Sequence, residues 1–437
     1  MNSNSLLCAA IAHHITTSPQ QRITFAEFMD MALYHPEHGY YSSDAVKIGF
    51  QGGDFFTSPN LSADFGELLA EQFLQMWEIL GRPVTFSLVE MGAGQGLLAL
   101  HILKYYQVQY PDFFTAIEYV IIEKSPTLRQ QQQKRLQDLP VRWCNLEDIP
   151  SNAIVGCFFS NELVDAFPVH QFTLENGELR EIYVTTQKDG TDAESGRRGD
   201  AVKEFSISPR PHVPASPRPH VPASSVPASQ RPHVPASSSS SFIEVTGKPS
   251  TSQLAEYFNL VEIDLTLGAY PDGYRSEINL AALSWLSIVA DRLQRGYVLT
   301  IDYGYPATRY YNPRRWQGTL QCYYQHRFHD NPYINVGQQD ITAHVDFTAL
   351  SRWGDRCGLE NVGFIQQGLF LMALGLGERI AAISYQKQPL SQLLQRREAL
   401  HQLLDPTGLG GFGVLIQGKN LGKTEISQPL KGLTVPE

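Results

Sequence analysis

Apolar positions in the first 85 residues recur every three or four places. Phe25, Phe28, Met29, Ala32 and Leu33 share one helical face, and Phe65, Leu68, Leu69, Phe73 and Met76 share another, so this stretch reads as mostly helical. Between the two helices, Tyr34 to Pro59 is a loop rich in glycine and aromatic residues. At residue 86 the pattern changes to short apolar runs separated by helical ones. Phe86 to Met91 leads into a glycine turn and an apolar helix from Leu97 to Tyr106, and Tyr119 to Glu123 leads into a glutamine-rich helix. Val141 to Cys144, Gly156 to Ser160 and Tyr297 to Asp302 extend the series, and runs near Val362 to Gln366 and Phe412 to Gln417 complete it. Strands that alternate with helices predict an α/β fold, Rossmann-like, with a doubly wound and mainly parallel sheet.

The middle of the chain departs from this pattern. Gln171 to Thr185 alternates around Asn176-Gly177, the signature of a β-hairpin, and Phe242 to Val245 reads as a further strand. Between them stand three copies of Arg-Pro-His-Val-Pro-Ala-Ser, starting at Arg210, Arg218 and Arg231, followed by a run of serines. Proline removes backbone donors and blocks helix, and the short polar residues offer nothing to bury, so the tract predicts an extended, mobile linker. Four segments result. Residues 1–85 form an N-terminal helical and lid region, and 86–170 the first half of a nucleotide-type core. Residues 171–295 are an insertion with the hairpin, the linker over 188–241 and helices, and 296–437 are the second half of the core.

Composition narrows the function classes. Of 437 residues 42% are hydrophobic and 18% charged, which is enough apolar material for a sizeable core. Lys and Arg total 34 against 44 Asp and Glu, so there is no broad positive footprint for nucleic acid or an anionic membrane. The longest apolar runs, such as Ala153 to Phe159, fall far short of the roughly 20 residues a membrane-spanning helix needs. Neither a secretory leader nor an Arg-rich transit pattern is recognisable at the start, and five scattered cysteines suggest neither a disulfide framework nor a zinc site. The expectation is a cytoplasmic protein without membrane insertion, metal or nucleic-acid partner.

The most informative segment is Glu90-Met91-Gly92-Ala93-Gly94-Gln95-Gly96. Glycines at a strand-to-helix turn let the backbone approach a ligand and adopt positive φ. Leu97 stands where a dinucleotide fingerprint would have its third glycine. Glu90 would repel a pyrophosphate but favour a cationic ligand, such as the amino-acid end of S-adenosylmethionine. Glu123, ending the next strand, is placed to accept hydrogen bonds from two ribose hydroxyls. The long separation from Gly96 to Glu123 calls for an extended loop at Gln109 to Thr115. Leu146 and Glu147 follow the third strand, where a loop touching adenine would lie, or they belong to an ordinary solvated acidic loop.

Several segments resemble one family specifically. They are Tyr34 to Tyr41, Gly53 to Pro59, Glu90 to Gly96, Ser160 to Pro168, Asp302 to Tyr305 and Gly337 to Phe347. They are similar to the S-adenosylmethionine-dependent protein arginine methyltransferases that include MidA and a mitochondrial complex I assembly factor. The resemblance covers most of the chain outside 188–241. It implies a class I methyltransferase fold, S-adenosylmethionine as cofactor, and symmetric dimethylation of an arginine on a respiratory complex subunit.

An arginine acceptor sets a chemical requirement. Its guanidinium has a pKa above about 12 and is a poor nucleophile while its charge is delocalised. Carboxylates at the carboxyl ends of the strands can clamp the planar fork, polarise one nitrogen and receive the proton. Glu162 and Asp165, directly after the fourth strand, are the first candidates for that work. Asn161 beside them would bond the cofactor or order the two acids. Asp302 is a third candidate or a turn-forming aspartate. His344 and Asp346 form a base and its orienter, or a histidine and a helix N-cap. Glu277 is placed toward the cleft. Asp54 and Ser58 lie in a loop that would act as a lid over the cofactor, and Tyr40 and Tyr41 line the cleft or pack in the core. Two alternatives stay open: a noncatalytic assembly protein that keeps the cofactor pocket, and a small-molecule methyltransferase.

Overall fold

The computed structural model describes residues 3–42, 58–187, 241–266, 268–325, 327–385 and 389–434. The three heptapeptide copies and Asp54 lie outside the described residues. A seven-stranded sheet forms the centre: β1 (Phe86–Met91), β2 (Ile117–Ile122), β3 (Val141–Cys144), β4 (Ile154–Asn161), β5 (Leu293–Asp302), β6 (Glu360–Gln366) and β7 (Gly413–Lys419). Its spatial order is β3-β2-β1-β4-β5-β7-β6. The first five strands are mutually parallel, and β7 runs antiparallel to both neighbours.

The strands read as unbroken apolar runs because both faces are covered. Leu88, Tyr119, Ile121, Phe159 and Leu299 point to one side. They pack there on α3 (Ala63–Ile79) and α4 (Leu97–Gln109) through Phe73, Met76, Leu103 and Tyr106. Their neighbours Val89, Val120, Phe158 and Val298 point to the other side, against α6 (Leu280–Arg292) and α7 (Phe347–Arg356) through Trp285, Leu286, Val289 and Leu350. Each such side chain, fully buried, contributes about 1.5–3 kcal/mol relative to exposure. The expected extended loop near Gln109 to Thr115 is instead a short helix, Pro111–Ala116, whose Phe113 is buried against Trp77 and Tyr106.

A second, antiparallel sheet stands beyond the core. The strands His170–Glu175 and Glu178–Thr186 pair around Asn176 (φ 52°) and Gly177 (φ 77°), the left-handed pair a tight hairpin turn needs. Ile23–Thr24 and Phe242–Gly247 pair with the second of these strands, and Arg275–Ile278 with the first. Helices α1 (Ser5–Thr17) and α2 (Phe25–Tyr34) bury Leu7, Ile11, Phe25 and Phe28 against this sheet. A capping box between Thr24 and Glu27 starts α2. The end of α2 thereby reaches the turn that follows β4, where the Tyr34 hydroxyl donates to the Ala166 carbonyl at 2.9 Å. Among the described residues, no helix is long and apolar enough to cross a membrane.

Candidate active site

The chain leaves β1 toward β2 on one side and β4 toward β5 on the other, so a crevice opens between the carboxyl ends of β1 and β4. A cavity of about 310 Å3 lies there. One half of its wall is Glu90, the turn Gly92 to Gln95 and the segment Glu123 to Pro126; the other is Asn161 to Leu163, Asp165, Asp340, Tyr34 and Tyr41.

The turn takes left-handed backbone at Gly92 (φ 70°), Gly94 (φ 53°) and Gly96 (φ 74°). At Gly92 a Cβ would also come within 2.7 Å of Leu163 Cδ1. Gly96 caps α4, and a Cβ there would face Gln132 and Leu136, which do not line the cavity. Gly96, expected on the cofactor, is not among the residues that line the cavity. Behind the turn, buried Glu90 accepts a hydrogen bond from the Tyr119 hydroxyl at 2.7 Å, and burial pushes its carboxyl up to about 7. Glu123 accepts from the Ser125 N–H (2.9 Å) and from Gln132 Nε2 (3.0 Å); burial raises its pKa, and these bonds oppose the rise.

In the other half, Asn161 ends β4 with a buried Oδ1 that has no hydrogen-bond partner, while its Nδ2 donates to Glu162 Oε1 at 3.1 Å. Glu162 sits at φ 54°, a left-handed conformation that costs a non-glycine residue on the order of 1 kcal/mol and is concentrated at functional sites. The same Oε1 accepts from the Ser58 N–H at 3.3 Å. Ser58 thus reaches the site through its backbone, holding Glu162, and its side chain lies outside the cavity wall. Asp165 and Asp340 are nearly fully buried. Tyr41 donates to Asp340 Oδ1 at 2.8 Å and stacks on Tyr34 with ring centroids 5.5 Å apart. Asp340 stands in the segment Gly337 to Phe347, and nothing local in the sequence links it to Tyr41.

Several expected residues are elsewhere. Asp302 is buried under the turn that follows β4. Its Oδ2 accepts from the N–H groups of Leu163, Val164 and Asp165 (3.1, 2.8 and 3.4 Å), and Oδ1 from its neighbour Tyr303. Burial and then Asp165 push its carboxyl upward, and the backbone donors oppose this. It positions Asp165 and does not line the cavity. His344 is sandwiched between Tyr303 and Tyr305, with centroids 3.9 and 4.9 Å away, and is also absent from the cavity wall. Asp346 is the N-cap of α7, accepting from the N–H groups of Thr348 and Ala349, so the capping alternative holds. Glu277 is enclosed by Thr319, Leu320 and Tyr310. Leu146 is core and Glu147 exposed, both outside the cavity lining.

The glycine turn, the two strand-end acids and the orphaned Asn161 oxygen suit a ligand with an amino-acid end, a ribose and a hydrogen-bond donor. Residues 68–365 match a family described as S-adenosyl-L-methionine-dependent methyltransferases. The chain belongs to this family. It is 27% identical over 424 residues to the Drosophila melanogaster homolog of protein arginine methyltransferase NDUFAF7, covering 91% of this chain and 80% of that one. It is 25% identical over 414 residues to the Homo sapiens protein arginine methyltransferase NDUFAF7, covering 89% and 78%. A Burkholderia thailandensis protein solved with S-adenosyl-homocysteine bound superimposes with a TM-score of 0.75 at 26% identity, over 98% of this chain and 94% of that one. The chain is thus a Rossmann-like methyltransferase that uses S-adenosylmethionine. Both NDUFAF7 relatives are named as mitochondrial, which overturns the expectation of a cytoplasmic protein.

The elevated Glu90 pKa gives a pH test. The ammonium of the amino-acid end favours the ionised carboxylate, so binding must drive off a proton wherever the carboxyl is neutral. With a midpoint near 7, about a tenth of Glu90 is ionised at pH 6 and about nine-tenths at pH 8. Affinity for S-adenosyl-homocysteine should then rise about tenfold between those values, and Glu90→Gln should remove most of the rise. A titration series that is flat, or steeper toward acid, contradicts the role.

Proposed function

We propose that this methyltransferase acts on arginine side chains of a protein substrate. In this reading the turn Gly92 to Gln95, Glu90, Glu123 and Asn161 hold S-adenosylmethionine, and Glu162, Asp165 and Asp340 receive the guanidinium. The observation that carries it is the charge of the cavity. Glu90, Glu123, Glu162, Asp165 and Asp340 line it, against Lys124 as the one basic residue among the described lining residues. Such a wall selects a cationic acceptor and disfavours a phosphorylated or carboxylated metabolite.

The cofactor, when bound, supplies a methyl group on a positively charged sulfur. The chain's own groups do the rest. Carboxylates clamp a planar guanidinium through paired hydrogen bonds and hold one nitrogen in line, and alignment at about 3–3.5 Å accounts for much of the rate. Glu162, fixed by Ser58 and Asn161, polarises that nitrogen and takes its proton directly or through water. The stacked faces of Tyr34 and Tyr41 offer the cation an aromatic surface. The names of the relatives support a protein arginine as acceptor, and the family resemblance extends the proposal to symmetric dimethylarginine on a respiratory complex I-like subunit.

The test is transfer of labelled methyl groups to arginine-containing segments of complex I subunits, compared with the same segments carrying lysine, read by mass spectrometry. Methyl groups should appear on arginine and not on lysine. Transfer to lysine, or to small amines only, overturns the reading.

A further inference from the structure

We infer that Gln132 is a positioning residue that sets the glycine turn and Glu123 for the nucleoside cofactor. It is one of four consecutive glutamines, residues 130–133, on α5 (Pro126–Arg135). The other three are partly or fully exposed, whereas Gln132 is 0% exposed. Its neighbours one turn away on the same face are Leu128 and Leu136, both buried. A stripe spaced in this way ordinarily continues with an apolar residue. Burying an amide there is tolerated only if its hydrogen bonds are made.

Both amide hydrogens and the oxygen find partners, and two of the three partners line the cavity. Nε2 donates to the Gly94 carbonyl at 2.8 Å and to Glu123 Oε2 at 3.0 Å, which uses both amide hydrogens. Oε1 accepts from the Trp143 indole Nε1 at 3.0 Å, which fixes which end of the amide is which. Gly94 and Glu123 are cavity-wall residues on the carboxyl ends of two different strands. One side chain therefore ties the turn after β1 to the acid after β2, with β3 holding it from behind through Trp143.

The peptide plane makes the consequence specific. In a trans peptide the C=O and the following N–H point in opposite directions. Holding the Gly94 carbonyl toward α5 turns the Gln95 N–H away from that helix. Arg135 Nη1 fixes the next carbonyl, Gln95 O, at 2.5 Å from the same helix. On the acid, Gln132 and the Ser125 N–H each take one carboxylate oxygen. That sets the plane of the carboxylate and leaves it acceptor capacity for hydroxyls.

The experiment uses the full chain and S-adenosyl-homocysteine as the probe. Gln132→Leu keeps an apolar stripe but loses three hydrogen bonds, one of them to a charged group, so the calorimetric Kd should rise about tenfold or more. The KM for S-adenosylmethionine should rise by a similar factor, with kcat at saturation within about twofold of wild type. The Trp143 indole N–H resonance of 15N-labelled, cofactor-free Gln132→Leu should move toward that of a solvent-exposed indole. Trp143→Phe removes the bond that orients the amide together with some of the indole's packing, and should weaken binding by about threefold; it serves as the readout if Gln132→Leu does not fold. An unchanged Kd in either folded variant, or a fall in kcat at constant KM, overturns the inference.

Discussion

Glu162→Gln is expected to lower the methyl-transfer rate at saturating substrates by about 10²–10⁴-fold, the range that a positioned acid–base group contributes. It should leave the affinity for S-adenosyl-homocysteine within about threefold. The substitution preserves shape, and the amide oxygen can still accept from the Ser58 N–H and from Asn161 Nδ2. What it removes is the negative charge that localises the guanidinium and the site that takes its proton. The left-handed backbone at Glu162 supports this role, because strain of that kind persists where the surrounding structure fixes the residue. Steady-state rates measured alongside calorimetry separate the two effects. A rate within threefold of wild type, or a loss of cofactor affinity as large as the loss of rate, contradicts the assignment.

Gly92→Val is expected to weaken cofactor binding by about a hundredfold or more, for two independent reasons. The φ of 70° is one that a β-branched residue adopts only as an outlier, at a cost of about 1–3 kcal/mol. A Cβ at this position also meets Leu163 Cδ1 at 2.7 Å, so the Leu163 side chain must turn away. Because Leu163 and the strained turn both line the cavity, relief of the clash and of the strain alters the wall. About 2.7 kcal/mol of combined cost corresponds to the hundredfold loss. The far-ultraviolet circular dichroism of the variant should match wild type, which distinguishes a displaced turn from an unfolded core. Normal binding by a folded Gly92→Val protein would remove the turn from the site.

The parts of this molecule that depend on local order were legible in the sequence. The alternation of strand and helix from residue 86, the hairpin around Asn176-Gly177 and the glycine turn between two strand-end acids are all written within short windows, where periodicity and turn chemistry act. The parts that depend on residues brought together from afar were not. Asp340 meets Tyr41 across 299 positions, and Ser58 meets Glu162 across 104. Asp302 looked like a catalytic acid from its place at a strand end, yet three N–H groups lying 137 to 139 residues upstream claim its Oδ2. Gln132 was hidden in a run of glutamines, and only the helical phase relative to Leu128 and Leu136 would have marked it as the inward one. The expected cytoplasmic location rested on a leader pattern that was not seen, and relatives named as mitochondrial corrected it.

One calorimetric experiment tests the central claim, that the crevice beyond β1 and β4 holds the methyl donor while the acids after β4 handle the acceptor. S-adenosyl-homocysteine is titrated into wild type, Glu162→Gln and Gly92→Val under identical conditions. The predicted result is saturable binding of near-equal affinity for the first two and about a hundredfold weaker binding for the third. Equal affinities in all three proteins, or a collapse confined to Glu162→Gln, would place the nucleoside somewhere other than the glycine turn and contradict the account.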